Sequence, residues 1–193
     1  MMDNQLNATT AYTRFPWYEM IEGDDLEQGD IFERCPVFTP TSPFSYQDYC
    51  SPNFKAEFST WELDVIVMTQ SCDLVKEHPK INEVLLCPLW DLEKLATQVE
   101  VAHQWKGKED IRRGNVPGYL MLYASSHPDF ERPIRAVSFH RVYSLPLVFL
   151  RGLAQGRGKR LRLLPPYREH LGQAFARYFM RVGLPVDIPP FKK

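Results

Sequence analysis

The densest run of chemically capable side chains in this chain is Thr69-Gln70-Ser71-Cys72-Asp73-Leu74, directly after the apolar stretch Asp64-Val65-Ile66-Val67-Met68. Two hydroxyls, a thiol and a carboxylate thus emerge where a buried strand ends, and such ends are where a rigid scaffold presents reactive groups. Thr69, Ser71, Cys72 and Asp73 are the candidate catalytic residues. His140 is the candidate acid–base partner, with His78 as the other histidine a hydroxyl or thiol nucleophile could use. Cys72 reads poorly as an activated nucleophile, because the adjacent Asp73 carboxylate disfavours the thiolate. A reduced thiol shielded at the end of an apolar run is expected instead. The competing reading of the same residues is structural, with Ser71 and Asp73 bonding the amides of a turn.

The other cysteines, at 35, 50 and 87, complete no Cys-x-x-Cys pair with Cys72 or with one another. They match no closed zinc pattern, so neither a metal nor a cofactor is expected, and reduced thiols fit a cytoplasmic protein.

A second set of candidates is electrostatic. The formal net charge of −1 hides two opposed ends. Residues 1–50 hold nine acids against Arg14 and Arg34, whereas residues 151–181 hold eight bases against Glu169. Arg157, Lys159, Arg160, Arg162, Arg177 and Arg181 are the candidate nucleic-acid-binding residues. Arg157, Lys159 and Arg160 fall among glycines, where a flexible loop would leave their charges in water. RNA or an acidic protein is the partner this face implies. The alternative is that the two ends attract each other, within one fold or across a homodimer, since the chain carries no overall basic excess.

The elements that must position these groups alternate between strand and helix patterns. Strands are expected near 29–33, 63–69, 83–89, 119–123 and 134–143, and 145–150 can continue the sheet. The prolines at 36, 40, 43 and 52 make 35–60 read as a long loop. Asp91 is expected to cap a helix over 91–104, followed by a short helix and a turn before Gly118. Pro165-Pro166 opens a last helix that runs to about Arg181 and stops at Gly183, with Leu171, Phe175, Tyr178 and Phe179 as its apolar stripe. The polar connection 70–82 is too short for a helical crossover, so the sheet should be mostly antiparallel. The fold class is therefore α+β, in one domain over 1–193. It comprises an arm at 1–24, a sheet core over 25–150 with a helical insertion at 91–118, and a basic C-terminal lobe over 151–193. No apolar run is long enough to span a bilayer, so no membrane association is expected.

The order Gly29-Asp30-Ile31, then Val65-Ile66-Val67-Met68-Thr69, then Glu83-Val84-Leu85-Leu86-Cys87-Pro88-Leu89 resembles the bacterial MazF/PemK family. That resemblance covers about a third of the chain. It implies a small Src-homology-three-like β-barrel and the activity of a toxin–antitoxin ribonuclease that cleaves single-stranded RNA. At the position of the family's catalytic arginine this chain has Leu63, and at that of its catalytic threonine or serine it has Trp90. The implied site is therefore catalytically degenerate. Thr69 to Leu74, with Pro166-Tyr167-Arg168 and Arg181-Val182-Gly183-Leu184-Pro185, is also similar to a group of uncharacterised bacterial proteins, which lends no activity. The function these readings favour is a non-catalytic binding or regulatory module associated with nucleic acid. The alternative is an endoribonuclease toxin-like enzyme with a rearranged active site.

Overall fold

The computed structural model describes residues 15–180. Arg181, the expected helix stop at Gly183 and the first fourteen residues of the arm lie outside them. In chain order the strands are β1 (Tyr18–Ile21), β2 (Ile31–Pro40), β3 (Phe58–Val67), β4 (Glu83–Asp91) and β5 (Tyr119–Leu122). They continue with β6 (Ser125–His127), β7 (Phe130–Arg132), β8 (Arg135–Ser138), β9 (Tyr143–Pro146) and β10 (Arg160–Leu163). The helices are α1 (Tyr46–Tyr49), α2 (Leu92–Gln98), α3 (Glu100–His103), α4 (Trp105–Arg112), α5 (Leu147–Arg157) and α6 (Tyr167–Phe179).

The main sheet runs β2-β3-β4-β8-β5, and the first half of β4 also pairs with β9. β1 and β10 form a second ladder, joined to the start of β2 by the bridge Asp30↔Arg162. Every pairing between described strands is antiparallel, as the short polar connection over 70–82 implied. The end strands β1 and β5 share no ladder among the described residues. Just beyond β5, Tyr123 O accepts from Tyr18 Oη at 2.7 Å, and the Tyr123 ring lies 6.1 Å from that of Trp17.

Period-2 alternation assigns the faces of β3. Val65 and Val67 enter a core with Phe32, Val37, Leu86 and Leu150, while Ile66 and Met68 enter another with Ile31, Cys87, Val137 and Leu171. A third, smaller cluster joins Leu95, Ala102 and Ile111 to Ala136.

The long loop expected at 35–60 is shorter, because β2 runs through Pro36 to Pro40. Thr41 N donates to Glu57 O and Val67 N to Asp30 O, so odd-numbered residues of β3 turn their backbone groups toward β2. Pro36 and Pro40 lie opposite Glu62 and Phe58, at positions whose amide would face away from β3. No ladder bond is lost there, which is why an edge strand tolerates them. A bulge between Phe32 and Cys35 sets Arg34 at φ 49°, where its amide donates to Asp64 Oδ1 at 2.8 Å.

The sheet continuation expected at 145–150 holds for Leu145 and Pro146, which end β9 opposite Val84 and Glu83, whereas 147–150 and the flexible glycine loop expected after them are corrected to the helix α5. Leu147, Leu150 and Ala154 recur on one face and are buried, while Gly152 and Gly156 fall on the exposed face, where a missing side chain loses no packing. The strand expected over 134–143 ends at Ser138, and β9 restarts at Tyr143. The helix expected over 91–104 divides at Val99, which is extended, and Asp91 makes no capping bond. Its carboxylate pairs with Lys94 at 2.9 Å. On α6, Leu171 is buried and Phe175 and Tyr178 pack on the core, but Phe179 is exposed, so the stripe ends one turn early. None of the described helices is long and apolar enough to cross a membrane.

Candidate functional site

At the end of β3, Met68 N donates to Leu85 O at 2.8 Å, and the Thr69 hydroxyl accepts from Leu85 N at 2.8 Å. Gln28 Nε2 donates to Met68 O at 2.8 Å from the opposite side. Residues Ser71–Asp73 then form one 3₁₀ turn, closed by Asp73 N to Gln70 O and Leu74 N to Ser71 O. Ser71 Oγ accepts from Gln28 N at 3.1 Å and lies 3.5 Å from Glu27 Oε2. The elbow is thus pinned by its own hydroxyls.

Thr69, Ser71, Cys72 and Asp73 are therefore gathered in one place. The Asp73 carboxylate lies 3.8 Å from Cys72 Sγ and 3.5 Å from Lys80 Nζ. The expectation of a shielded Cys72 is corrected: the thiol is exposed, because the 3₁₀ turn lifts it off the sheet instead of continuing the strand. The fully buried thiols are those of Cys35 and Cys87, which burial pushes up to about 11 and about 12. An open groove of about 450 Å³ beside Cys72 is lined by Asp25, Glu27, Lys76 and Glu77, an acid-rich wall that does not suit phosphate.

His140 is not part of this elbow. It is exposed beyond β8, 3.5 Å from Ser138 Oγ, with its ring near Tyr119 and Tyr178. Gly118 makes room for it, since a Cβ there would lie 2.1 Å from the imidazole. His78 is exposed. Among the described residues, no group of three His, Cys, Asp or Glu is placed to hold a metal ion.

The basic residues are drawn inward, a second correction. Arg160 and Arg162 alternate with Leu161 and Leu163 in β10, so both guanidinium groups share one side of the strand. They enclose Asp30, which is fully buried. Arg160 reaches Asp30 at 3.0 Å and donates to Gly23 O and Asp25 O. Arg162 reaches both Asp30 oxygens and Glu27 Oε1 at 2.7 Å. Arg168 closes the network on Glu27 at 2.6 Å. Burial works against the Arg162 charge, but the Asp30 hydrogen bond and the acids around it hold the guanidinium above its ordinary range. A carboxylate as deeply buried as Asp30 requires such partners. The solvated glycine loop thus gives way to a strand that delivers counter-charge.

Gly29 permits this meeting. Its φ is +90°, and a Cβ on it would lie 2.9 Å from Leu163 Cβ. Of the remaining candidates, Arg157 ends α5 and donates to Glu33 O and Arg34 O. Lys159 pairs with Asp129 at 3.1 Å at the surface. Arg177 is exposed on α6.

The feature that sequence reasoning missed is the β2–β3 hairpin. Phe38, Phe44, Tyr46, Tyr49, Phe58 and Trp61 are all exposed, Tyr46 at 79% and Trp61 at 59%. At the tip the Phe54 ring meets Tyr49 edge to face and Phe44 at a tilt of 52°. The signal was present as seven aromatics between positions 38 and 61, against the charges Asp48, Lys55 and Glu57 alone. Comparison with protein-family models, curated proteins and solved structures returned no match for the chain, so the MazF/PemK resemblance rests on its short motifs.

Proposed function

We propose that the protein is a non-catalytic binding module that offers its β2–β3 hairpin to a protein partner. The observation that carries this reading is the cluster of exposed aromatic side chains on the outer part of the hairpin, residues 38–61, where only Asp48, Lys55 and Glu57 are charged. Exposed apolar patches of this kind are characteristic of interaction surfaces, and Tyr and Trp are the residues that dominate binding energy there. The elbow supports the non-catalytic part. Its Thr69 and Ser71 hydroxyl oxygens accept structural hydrogen bonds, no histidine reaches it among the described contacts, and the nearby Arg168 is engaged by Glu27. Cleavage of RNA needs an acid–base pair and a free cation for the phosphorane, and these side chains supply neither. In fold, we read the antiparallel sheet as a PemK-like barrel with its seam between β1 and β5. A protein partner also fits the resemblance, since MazF/PemK toxins are held by antitoxins.

RNA remains the second reading because of one surface. Arg112, Arg113, Arg177 and His170 line an open groove of about 300 Å³ between α4 and α6. There Arg112 and Arg113 already share Glu109, which lowers the free charge.

The test is a photo-crosslinking amino acid placed at Tyr46 in the native cell, with Lys106 on α4 as the control position. A discrete protein adduct at 46 alone is expected. An RNA adduct, or none, overturns the reading. Cleavage of single-stranded RNA by purified protein, abolished in Asp73→Asn, would establish the enzyme instead.

A further inference from the structure

We infer that the groove between β1 and β6 binds a small aromatic monocarboxylate, with the buried Arg135 guanidinium as its anchor. This site goes beyond the binding-module reading and shares no residue with the hairpin over 38–61.

Arg135 is the largest side chain that the described residues bury completely, at 1% exposure. Neither its Nε nor either Nη has a hydrogen-bond partner among those residues. Its ion-pair neighbour is Glu33, whose Oε1 lies 3.8 Å away, beyond hydrogen-bonding reach. That carboxylate is already engaged by Arg132, which donates from Nε at 2.5 Å and from Nη2 to the other oxygen. Two guanidinium groups thus share one carboxylate, and one unit of positive charge is left over in the interior. An arginine cannot shed its proton to escape that cost. Arg160 and Arg162 show how this fold treats a structural arginine: their nitrogens bond Asp30 and backbone carbonyls. Arg135 alone of the three is left with its donors unused, and such a group calls for a partner.

The side from which a partner comes follows from the ladder. Arg135 lies opposite Leu122, so both side chains enter the core bordered by Tyr18 and Leu161. Burial pushes the Tyr18 phenol up to about 12 while the Arg135 charge pulls against it, which sets the guanidinium close to that hydroxyl. Tyr18 and Leu161 also line an open groove of about 580 Å³, a volume that suits a small ligand. Trp17 and Tyr123 give the groove further flat aromatic walls.

Charge selects the class of ligand. Arg132, Arg135 and Glu33 together carry +1, which a monoanion neutralises, whereas Glu19 on the groove wall repels a phosphate dianion more strongly. A guanidinium fork takes a carboxylate through two parallel hydrogen bonds, and aromatic walls take a ring. Seating the carboxylate turns the Tyr18 hydroxyl off Tyr123 O, which exchanges one neutral hydrogen bond for two charge-assisted ones.

The experiment is calorimetric titration of the full chain with benzoate, benzamide and inorganic phosphate at constant ionic strength, beside Arg135→Met and Ser126→Trp. Methionine removes the charge and keeps an apolar side chain in its place, a change that buried sites often tolerate. Ser126 is exposed on the groove wall, so tryptophan there fills the groove and leaves Arg135 unchanged. Benzoate should bind the wild type with a Kd of about 1 mM or below. Benzamide, of the same shape without the charge, should bind at least about tenfold more weakly. Both variants should weaken benzoate by at least about tenfold, with unchanged circular dichroism. If Arg135→Met misfolds, Ser126→Trp and the benzamide comparison decide. No benzoate binding at about 10 mM overturns the inference, as does benzamide binding as tightly as benzoate, or a folded Arg135→Met with wild-type affinity. Phosphate binding in place of benzoate overturns the carboxylate assignment. Crosslinking at Tyr46 is read separately, so none of these outcomes decides the hairpin's role.

Discussion

Asp30 is where the two oppositely charged ends of the chain converge. With no exposure and two guanidinium partners, it is a charge whose burial depends entirely on its neighbours. Asp30→Asn should cost about 3–5 kcal/mol, because it leaves Arg160 and Arg162 buried without their shared counter-charge. Lys159→Gln, which breaks an ion pair half in water, should leave the stability almost unchanged. Chemical denaturation of both variants checks the contrast. The cysteines divide in the same way. Cys50 and Cys72 are exposed, whereas burial keeps Cys35 and Cys87 both inaccessible and protonated at neutral pH. A thiol reagent at pH 7 should therefore modify two groups quickly, and Cys35 and Cys87 only on unfolding. Mass mapping that found Cys87 among the fast pair would contradict the packing.

Among the elements, α5 gives the sharpest trial of the packing argument. Gly152 lies in the helix interior with open space around its α-carbon, so Gly152→Ala should stabilise the protein by about 0.5–1 kcal/mol. Leu150→Ala, on the opposite face and fully buried, should cost about 2–5 kcal/mol. Thermal melts of the two variants should move in opposite directions. The same helix shows where sequence reasoning runs out. Strands β4 and β5 and the buried half of β3 were legible as short continuous apolar runs, and helix α6 by an apolar stripe at helical spacing, whereas the first half of β3 was absorbed into the expected loop. Three glycines among four bases between 151 and 160 outweighed the spacing of Leu147, Leu150 and Ala154, although only tertiary burial decides between them. β2 was cut short for a related reason. Proline reads as a breaker until the direction of its missing amide is known, and that direction depends on the partner strand.

At the scale of the whole molecule, the opposed charges are an internal device. The elbow was legible as a cluster, since Thr69, Ser71, Cys72 and Asp73 share one turn, but the absence of His140 from it was not, because contact across the sheet leaves no mark in spacing. The basic segment was legible as charge and illegible as direction. Arg160 and Arg162 alternate with leucines, which fixes that they share a side but not that Asp30 waits there. The variant with Arg157, Lys159 and Arg160 all changed to glutamine should accordingly lose about 3 kcal/mol or more of stability, chiefly through Arg160. Its affinity for single-stranded RNA should stay as weak and as insensitive to salt as that of the wild type. A wild-type affinity that falls steeply with salt, with a flattened slope in the triple variant, would reverse that assignment. The two prolines of β2 act at this scale as well. A hairpin with acceptable strand edges on both flanks could add neighbour after neighbour and grow into a filament. With donors missing at Pro36 and Pro40, β2 offers a neighbour an incomplete row of amides, and growth through that flank is blocked. The prolines thus act as a stop on one side of the hairpin, a guard against its polymerisation.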